Sequence, residues 1–306
     1  MKAVVYTSYG PPSVLRHTEI PKPIPKENEV LVKVVCSTVS AAVIWMRIGK
    51  FPGSQIFTIL LRLFYGLTKP RVPVLGVEFS GIVEDTGRAV KYFKKGDAVY
   101  GTTTGLQQGA YAEYVCVLKK RNGGVLIKKP GQISFEQAAA LPAGAMAALH
   151  LLKKAKIKTG QRVLIYGASG SVGTYAVQIA KYFGAIVTGV CSTVNIHLVS
   201  SIGAERVIDY IKTDINNLNE KYDIVIDAVG KLKKSVAKKM LYSGGRFCTV
   251  KSPTSEKKEY LEILHQMISE EKLLPVIDKV YSFEQIKEAH QYADSGHKKG
   301  NVVIRH

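Results

Sequence analysis

The stretch "VLIYGASGSVGTYAVQIAKYFG", residues 163–184, decides how this chain is read. β-prone residues run into three glycines, and a helical pattern follows without a gap. In that helix Val172, Ala176, Ile179, Ala180 and Phe183 fall at i, i+3 and i+4 spacings. The turn comprises Gly167, Ala168, Ser169, Gly170, Ser171, Val172 and Gly173. Glycines there remove Cβ atoms that would keep a diphosphate from backbone N–H groups, and the helix dipole favours the anion. A glycine triplet alone also suits close helix–strand packing. At the first strand-to-helix turn of a βαβ series it reads as a dinucleotide cradle.

The end of the next strand indicates which dinucleotide. An NAD site carries Asp or Glu there, roughly 20 residues past the first glycines, to bind the ribose diol. This chain reads "VTGVCSTVN" (187–195), with Ser192 and Thr193 and no carboxylate. Hydroxyl donors without an acid favour a 2′-phosphate, so NADP(H) is expected, with Tyr210 as a helper alongside Lys181 and Lys212. Ser192 and Thr193 also suit capping of the following helix, and the two roles are compatible.

Outward from this motif the texture changes. Up to about residue 125 the segments "KAVVY", "EVLVKVVCSTVS", "EFSGIVED", "DAVYG" and "AYAEYVCV" read as strands of a mostly antiparallel β domain. From Ser134, set with Gln137 at capping-box spacing, the chain turns alanine-rich and helical. Strands and helices then alternate, which implies a parallel sheet wound with crossover helices. A closing strand–helix–strand run returns to the β domain. The expected domains are 1–125 completed by 275–306, and 126–274.

The chain has 306 residues, more than one core usually organises. Lys and Arg number 43 against 24 Asp and Glu, a net charge of +19 that should draw anions. The densest basic group, "KLKKSVAKK" (231–239), holds no aromatic on which a base could stack, so nucleic acid is permitted but not favoured. Four scattered cysteines exclude a disulfide framework and a cysteine zinc site. The apolar segment "IFTILLRLFYGL" (56–67) is too short to span a bilayer and reads as a buried or lid-like helix. No membrane partner is expected. The opening residues carry no long apolar run, so the expected location is cytoplasmic.

Taken in order, "MKAVVYTSYGPPSVL", "PVLGVEFSGIVEDTG", "FKKGDAVYG", "GAYAEYV", "AAALPAGAMAALHLL", the glycine turn, "YDIVIDAVG" and "KKGNVVI" resemble the medium-chain dehydrogenase/reductase superfamily. The resemblance is to its zinc-free branch of quinone oxidoreductases and zeta-crystallin. It implies a GroES-like β domain plus a Rossmann domain, with the active site in the cleft between them. It also implies a C-terminal cofactor contact at Asn301; Val229 and Thr249 are further cofactor-contact candidates. Val77 stands where zinc-dependent relatives carry a histidine, and no cysteine lies near Ser40–Val43, so no metal is expected.

The chain departs from that pattern. Where zinc-free relatives carry Asn and Asp it has Ser40 and Val43, and Ala147 replaces a threonine. After "GGRFCTV" an apolar stretch is absent, so the sixth strand of the nucleotide-binding sheet is expected to be missing. The strand ending at Val250 would then be an edge, flanked by Lys251 and Pro253, and the family's usual dimer becomes doubtful. The expected activity is NADPH-dependent hydride transfer to a small electron-poor carbonyl, enone or quinone without zinc, with Ser40 and Tyr65 as catalytic candidates. The rival expectation is a catalytically weak NADP(H)-binding protein with a binding or regulatory role, RNA binding included.

Overall fold

The computed structural model describes all residues except 52–53, 104–107, 119–123 and 253, so Pro253 lies outside the described residues. The chain forms two compact units, Met1–Pro142 with Ile277–His306, and Ala143–Val276.

The first unit begins with strands β1 (Lys2–Val5), β2 (Arg16–Glu19) and β3 (Glu29–Thr38), helices α1 (Ala41–Ile48) and α2 (Gln55–Tyr65), then β4 (Glu78–Thr86), β5 (Ala98–Thr102), β6 (Tyr114–Leu118), β7 (Val125–Lys128) and α3 (Phe135–Ala140). The second holds α4 (Pro142–Lys154), β8 (Arg162–Tyr166), α5 (Ser171–Tyr182), β9 (Ile186–Cys191), α6 (Ile196–Ser201), β10 (Arg206–Asp209), β11 (Tyr222–Asp227), α7 (Lys234–Lys239), β12 (Leu241–Thr249) and α8 (Lys258–Ser269). The chain then returns to the first unit through β13 (Ile277–Ser282), α9 (Ile286–Asp294) and β14 (Asn301–Arg305).

In the second unit the sheet is parallel, in the order β10-β9-β8-β11-β12. Val163, Leu164 and Ile165 are fully buried, as expected of a central parallel strand covered on both faces. The chain leaves β8 towards β9 and later comes back to lay β11 on the other side. Right-handed crossovers in opposite directions place helices on both faces and create a switch point at the carboxyl end of β8. Among the described residues there is no sixth strand, and β12 is the sheet edge. Its register with β11 slips between Tyr222 and Ile224, opposite residues 242–245 of β12.

The first unit is built on β3, which pairs antiparallel with β6 along Glu29–Lys33, with β14 along Cys36–Thr38, and with β4 throughout. The closing strand thus completes the sheet, as the sequence suggested. Its core includes Leu15, Val43, Leu75, Val77, Ile286 and Ile304. Val43 and Val77 share this one apolar cluster.

The alanine run contains two helices. Ser134 and Gln137 form the anticipated capping box. Proline cannot donate the backbone bond a continuous helix needs, and the chain breaks at Leu141–Pro142. Ala139 and Ala140 of α3 pack on Cys36 and Val303, and the Ser80 hydroxyl donates to the Phe135 carbonyl at 2.6 Å. The unit boundary therefore lies at 142/143, later than the expected 125/126.

The segment 56–67 forms α2 and the turn after it, yet none of the α2 residues is buried. This corrects the buried-helix reading. No helix among the described residues is long and apolar enough to cross a membrane.

Candidate functional site

Three glycines line the switch point of the second unit, for three different reasons. Gly167 has φ 80°, and a Cβ there would lie 2.5 Å from Val229 Cγ1. Gly173 lets α5 press on the turn: its Cβ would lie 2.1 Å from the Gly167 carbonyl oxygen. Gly170 is ordinary in backbone, with φ −80°, and a Cβ there would meet nothing closer than 3.6 Å. No protein contact requires glycine at 170. Its bare backbone heads α5, whose first-turn amides have no acceptor within the helix. That is what a diphosphate needs for close approach, so the residues present fit a dinucleotide. The amides of Gly167 and Ala168 donate to the Val190 carbonyl at 3.0 Å and fix the turn on β9. Ser171 and Val172 form the first helical residues.

At the end of β9 the two expected hydroxyls have different roles. Thr193 donates to the Asp209 carboxylate at 2.6 Å, and this bond holds the Asp209 carboxyl below its usual range. Ser192 accepts from Asn195 Nδ2 at 3.1 Å, which leaves its own hydroxyl hydrogen for another acceptor. Asn195 Nδ2 also reaches Ser169 Oγ at 3.2 Å, tying the glycine turn to the strand end. Its Oδ1 is buried without a partner. Tyr210 is half-exposed beside this group, and its amide donates to the Cys191 carbonyl. Lys181 lies at the far end of α5, roughly 15 Å along the axis, so it does not serve the expected helper role. The sequence reading sought an acid on β9 and missed Asp209, which ends β10 in register with Cys191.

The loop after β11 is organised by one buried carboxylate. Asp227 Oδ1 accepts from the amides of Gly230 at 2.8 Å and Lys231 at 3.2 Å, and Oδ2 from the Thr249 hydroxyl at 3.0 Å. It therefore sets Val229 over Gly167. Thr249 is committed inside the protein: it donates to Asp227 and accepts from the Lys251 amide. Asp227 was also missed; nothing in "DAVG" distinguishes an organising aspartate from a strand-end one.

A second candidate group lies in the first unit. Ser40 is the N-cap of α1 but makes no capping bond, and its Oγ is buried without a partner. The junction carrying it is held by a buried chain of bonds. Tyr111 donates to the Thr38 carbonyl at 3.0 Å and accepts from His290 Nε2 at 3.1 Å. His290 Nδ1 accepts from Arg47 at 3.0 Å, Arg47 pairs with Asp294 at 2.7 Å, and the Thr38 hydroxyl donates to Glu78 at 2.6 Å. Burial, with Arg47 adding to it, pushes the His290 pKa down to about 3. Lys298 Nζ donates to the Gly300 carbonyl at 3.1 Å, and burial holds its ammonium below the usual lysine range against the opposing pull of Glu78. Asn301 begins β14 and is buried. Tyr65 lies against the core cluster containing Val43.

Residues 26–131 match the family described as alcohol dehydrogenase GroES-like domain, and residues 171–293 match that described as zinc-binding dehydrogenase. No group of three or more His, Cys, Asp or Glu that could hold a metal ion occurs among the described residues. The chain is 33% identical to the 2-methylene-furan-3-one reductase of Solanum lycopersicum, over 99% of its own length and 79% of that protein's. Identity is also 33%, with the same coverage, to the NADPH-dependent alkenal/one oxidoreductase, chloroplastic, of Arabidopsis thaliana. Among solved structures, the quinone oxidoreductase from Coxiella burnetii superposes with a TM-score of 0.84 at 29% identity, covering 100% of this chain and 99% of that one. With such matches running end to end, the chain belongs to the medium-chain dehydrogenase/reductase superfamily, in its quinone oxidoreductase-like branch.

Proposed function

We propose that this protein is an NADPH-dependent reductase of small electron-poor carbonyls, enones or quinones that works without zinc. The observation that carries the reading is Gly170: a glycine at the head of α5 that no protein contact demands and a diphosphate does. Relatives named as alkenal/one and quinone oxidoreductases support the substrate class.

Bound NADPH supplies the hydride. The chain's own residues bind, orient and exclude water. First-turn amides of α5 hold the diphosphate, and Ser192 donates to the adenosine side. The Asp227-held loop sets Val229 beside the cradle. Ser40 Oγ, buried and unpartnered, serves as a hydrogen-bond donor to substrate, where a developing oxyanion gains from a preorganised donor. An acceptor that is already electron-poor needs little further polarisation. Tyr65, packed on the core, we assign to shaping the first unit rather than to proton transfer. Four free thiols, three of them buried, accord with a reducing cytoplasmic setting.

Titration with NADPH and NADH side by side, followed by NADPH consumption with ortho- and para-quinones and an unsaturated ketone, tests this. Saturable NADPH binding with turnover of one acceptor class is expected. Binding with no turnover across the panel defeats the reductase assignment, and no binding of either coenzyme defeats the whole reading.

A further inference from the structure

Helix α2 is built inside out. Its inward face carries Thr58, Leu61, Arg62 and Tyr65. Thr58 Oγ1 accepts from the Phe51 amide at 3.0 Å, while Arg62 donates to the Gly49 carbonyl at 3.0 Å and lies over the Tyr9 ring. The outward face is apolar throughout: Ile56, Phe57, Ile59, Leu60, Leu63 and Phe64 are all exposed, Ile56 at 72%, and Leu67 beyond the helix extends the strip at 59%. An apolar stripe normally faces the core. A contiguous exposed one marks an interaction surface.

Charge identifies the partner. No Asp or Glu occurs between Glu29 and Glu78, whereas Lys50, Lys69 and Arg71 are exposed around this strip. A second copy of a +19 chain would bring like charges together at the same contact. An acidic protein would satisfy the charge, but the strip offers no polar group for specific pairing. Apolar side chains rimmed by Lys and Arg, with aromatic rings at the margin, match the boundary between lipid headgroups and acyl chains. Trp45 stacks edge-on with Phe51 at 4.9 Å, and Phe51 contacts Phe57 at 5.3 Å, continuing the strip onto α1.

We propose that the outer face of α2 docks the protein on an anionic membrane surface, its apolar side chains entering the interface and Lys50, Lys69 and Arg71 meeting lipid phosphates. This sets aside the expectation of no membrane partner. It concerns surface attachment and stands independently of the reductase reading.

The test uses the full chain with vesicles of phosphatidylcholine alone and of an equimolar phosphatidylcholine–phosphatidylserine mixture, followed by co-sedimentation and by tryptophan emission. Trp45 is the chain's one tryptophan, so its spectrum reports on this strip. Expected are binding to the anionic vesicles, a blue shift of Trp45, and weakening by salt. The triple variant Phe57→Ser, Leu63→Ser, Phe64→Ser should lose roughly tenfold or more in affinity while keeping its melting temperature. The charge variant Lys50→Glu, Lys69→Glu, Arg71→Glu should bind neither vesicle. Absence of wild-type binding, or equal binding by the apolar variant, overturns the proposal. So does a wild-type dimer in light scattering that the apolar variant dissolves, which would make a second copy the occupant.

Discussion

Gly170 and Gly173 lie one helical turn apart, and the structure gives them opposite reasons for lacking a side chain. A methyl at 173 would run into the Gly167 carbonyl, so Gly173→Ala should cost about 1–3 kcal/mol of stability as the helix is forced off the turn. Gly170→Ala meets no protein atom closer than 3.6 Å and should leave the melting temperature nearly unchanged. Its NADPH dissociation constant should nevertheless rise about tenfold, because the methyl stands where the diphosphate approaches. Thermal melts with NADPH titrations of both variants check this, and a Gly170→Ala protein that bound NADPH normally would remove the central support of the proposed function. Asp209 makes a separate prediction. It engages Thr193 and puts negative charge beside a site proposed to accept a 2′-phosphate. Asp209→Asn keeps an acceptor for Thr193 and removes the charge. The ratio of NADPH to NADH affinity should rise roughly threefold to tenfold. An unchanged ratio would place the adenosine end elsewhere.

At the scale of the elements, legibility followed how local the determining physics is. The glycine turn, the buried parallel strands and the Ser134–Gln137 cap announced themselves, because each is set by neighbours within a few residues. The split between α3 and α4 was visible only as Pro142, and the docking of α3 on β3 and β14 depends on residues far apart in sequence. The Arg47–His290–Tyr111 chain was illegible for the same reason: helix α1, the loop before β6 and helix α9 each contribute one member, and no spacing links them. That chain gives a pH prediction. His290 is neutral in the folded protein, with a pKa of about 3, whereas the unfolded chain takes up a proton near pH 6.5. Below that point the unfolded state binds one more proton than the native state. Stability from this residue is therefore full above about pH 6.5 and falls by about 1.4 kcal/mol per pH unit down to about pH 3. Denaturant melts between about pH 6 and 4 should show a shallower pH slope in His290→Gln than in the wild type. Coincident slopes would mean that the imidazole titrates normally.

For the whole molecule, the parallel sheet ends in a strand poorly made for pairing. β12 carries the register slip against β11, Gly244 sits at φ 79°, and Lys251 stands two residues past its end. A bulged edge twists away from a regular partner, and a cation beside it disfavours a second strand. Two copies meeting there would also bring together two chains of +19. The protein should accordingly be monomeric in light scattering at moderate salt. Should dimers form when salt is raised, the charge argument predicts that they use another surface: replacing the exposed Tyr242 of β12 by Lys, which discourages further strand addition, should leave the dimer fraction unchanged. A dimer abolished by that substitution would show that the shortened sheet still pairs across its edge, and that the bulge is no barrier.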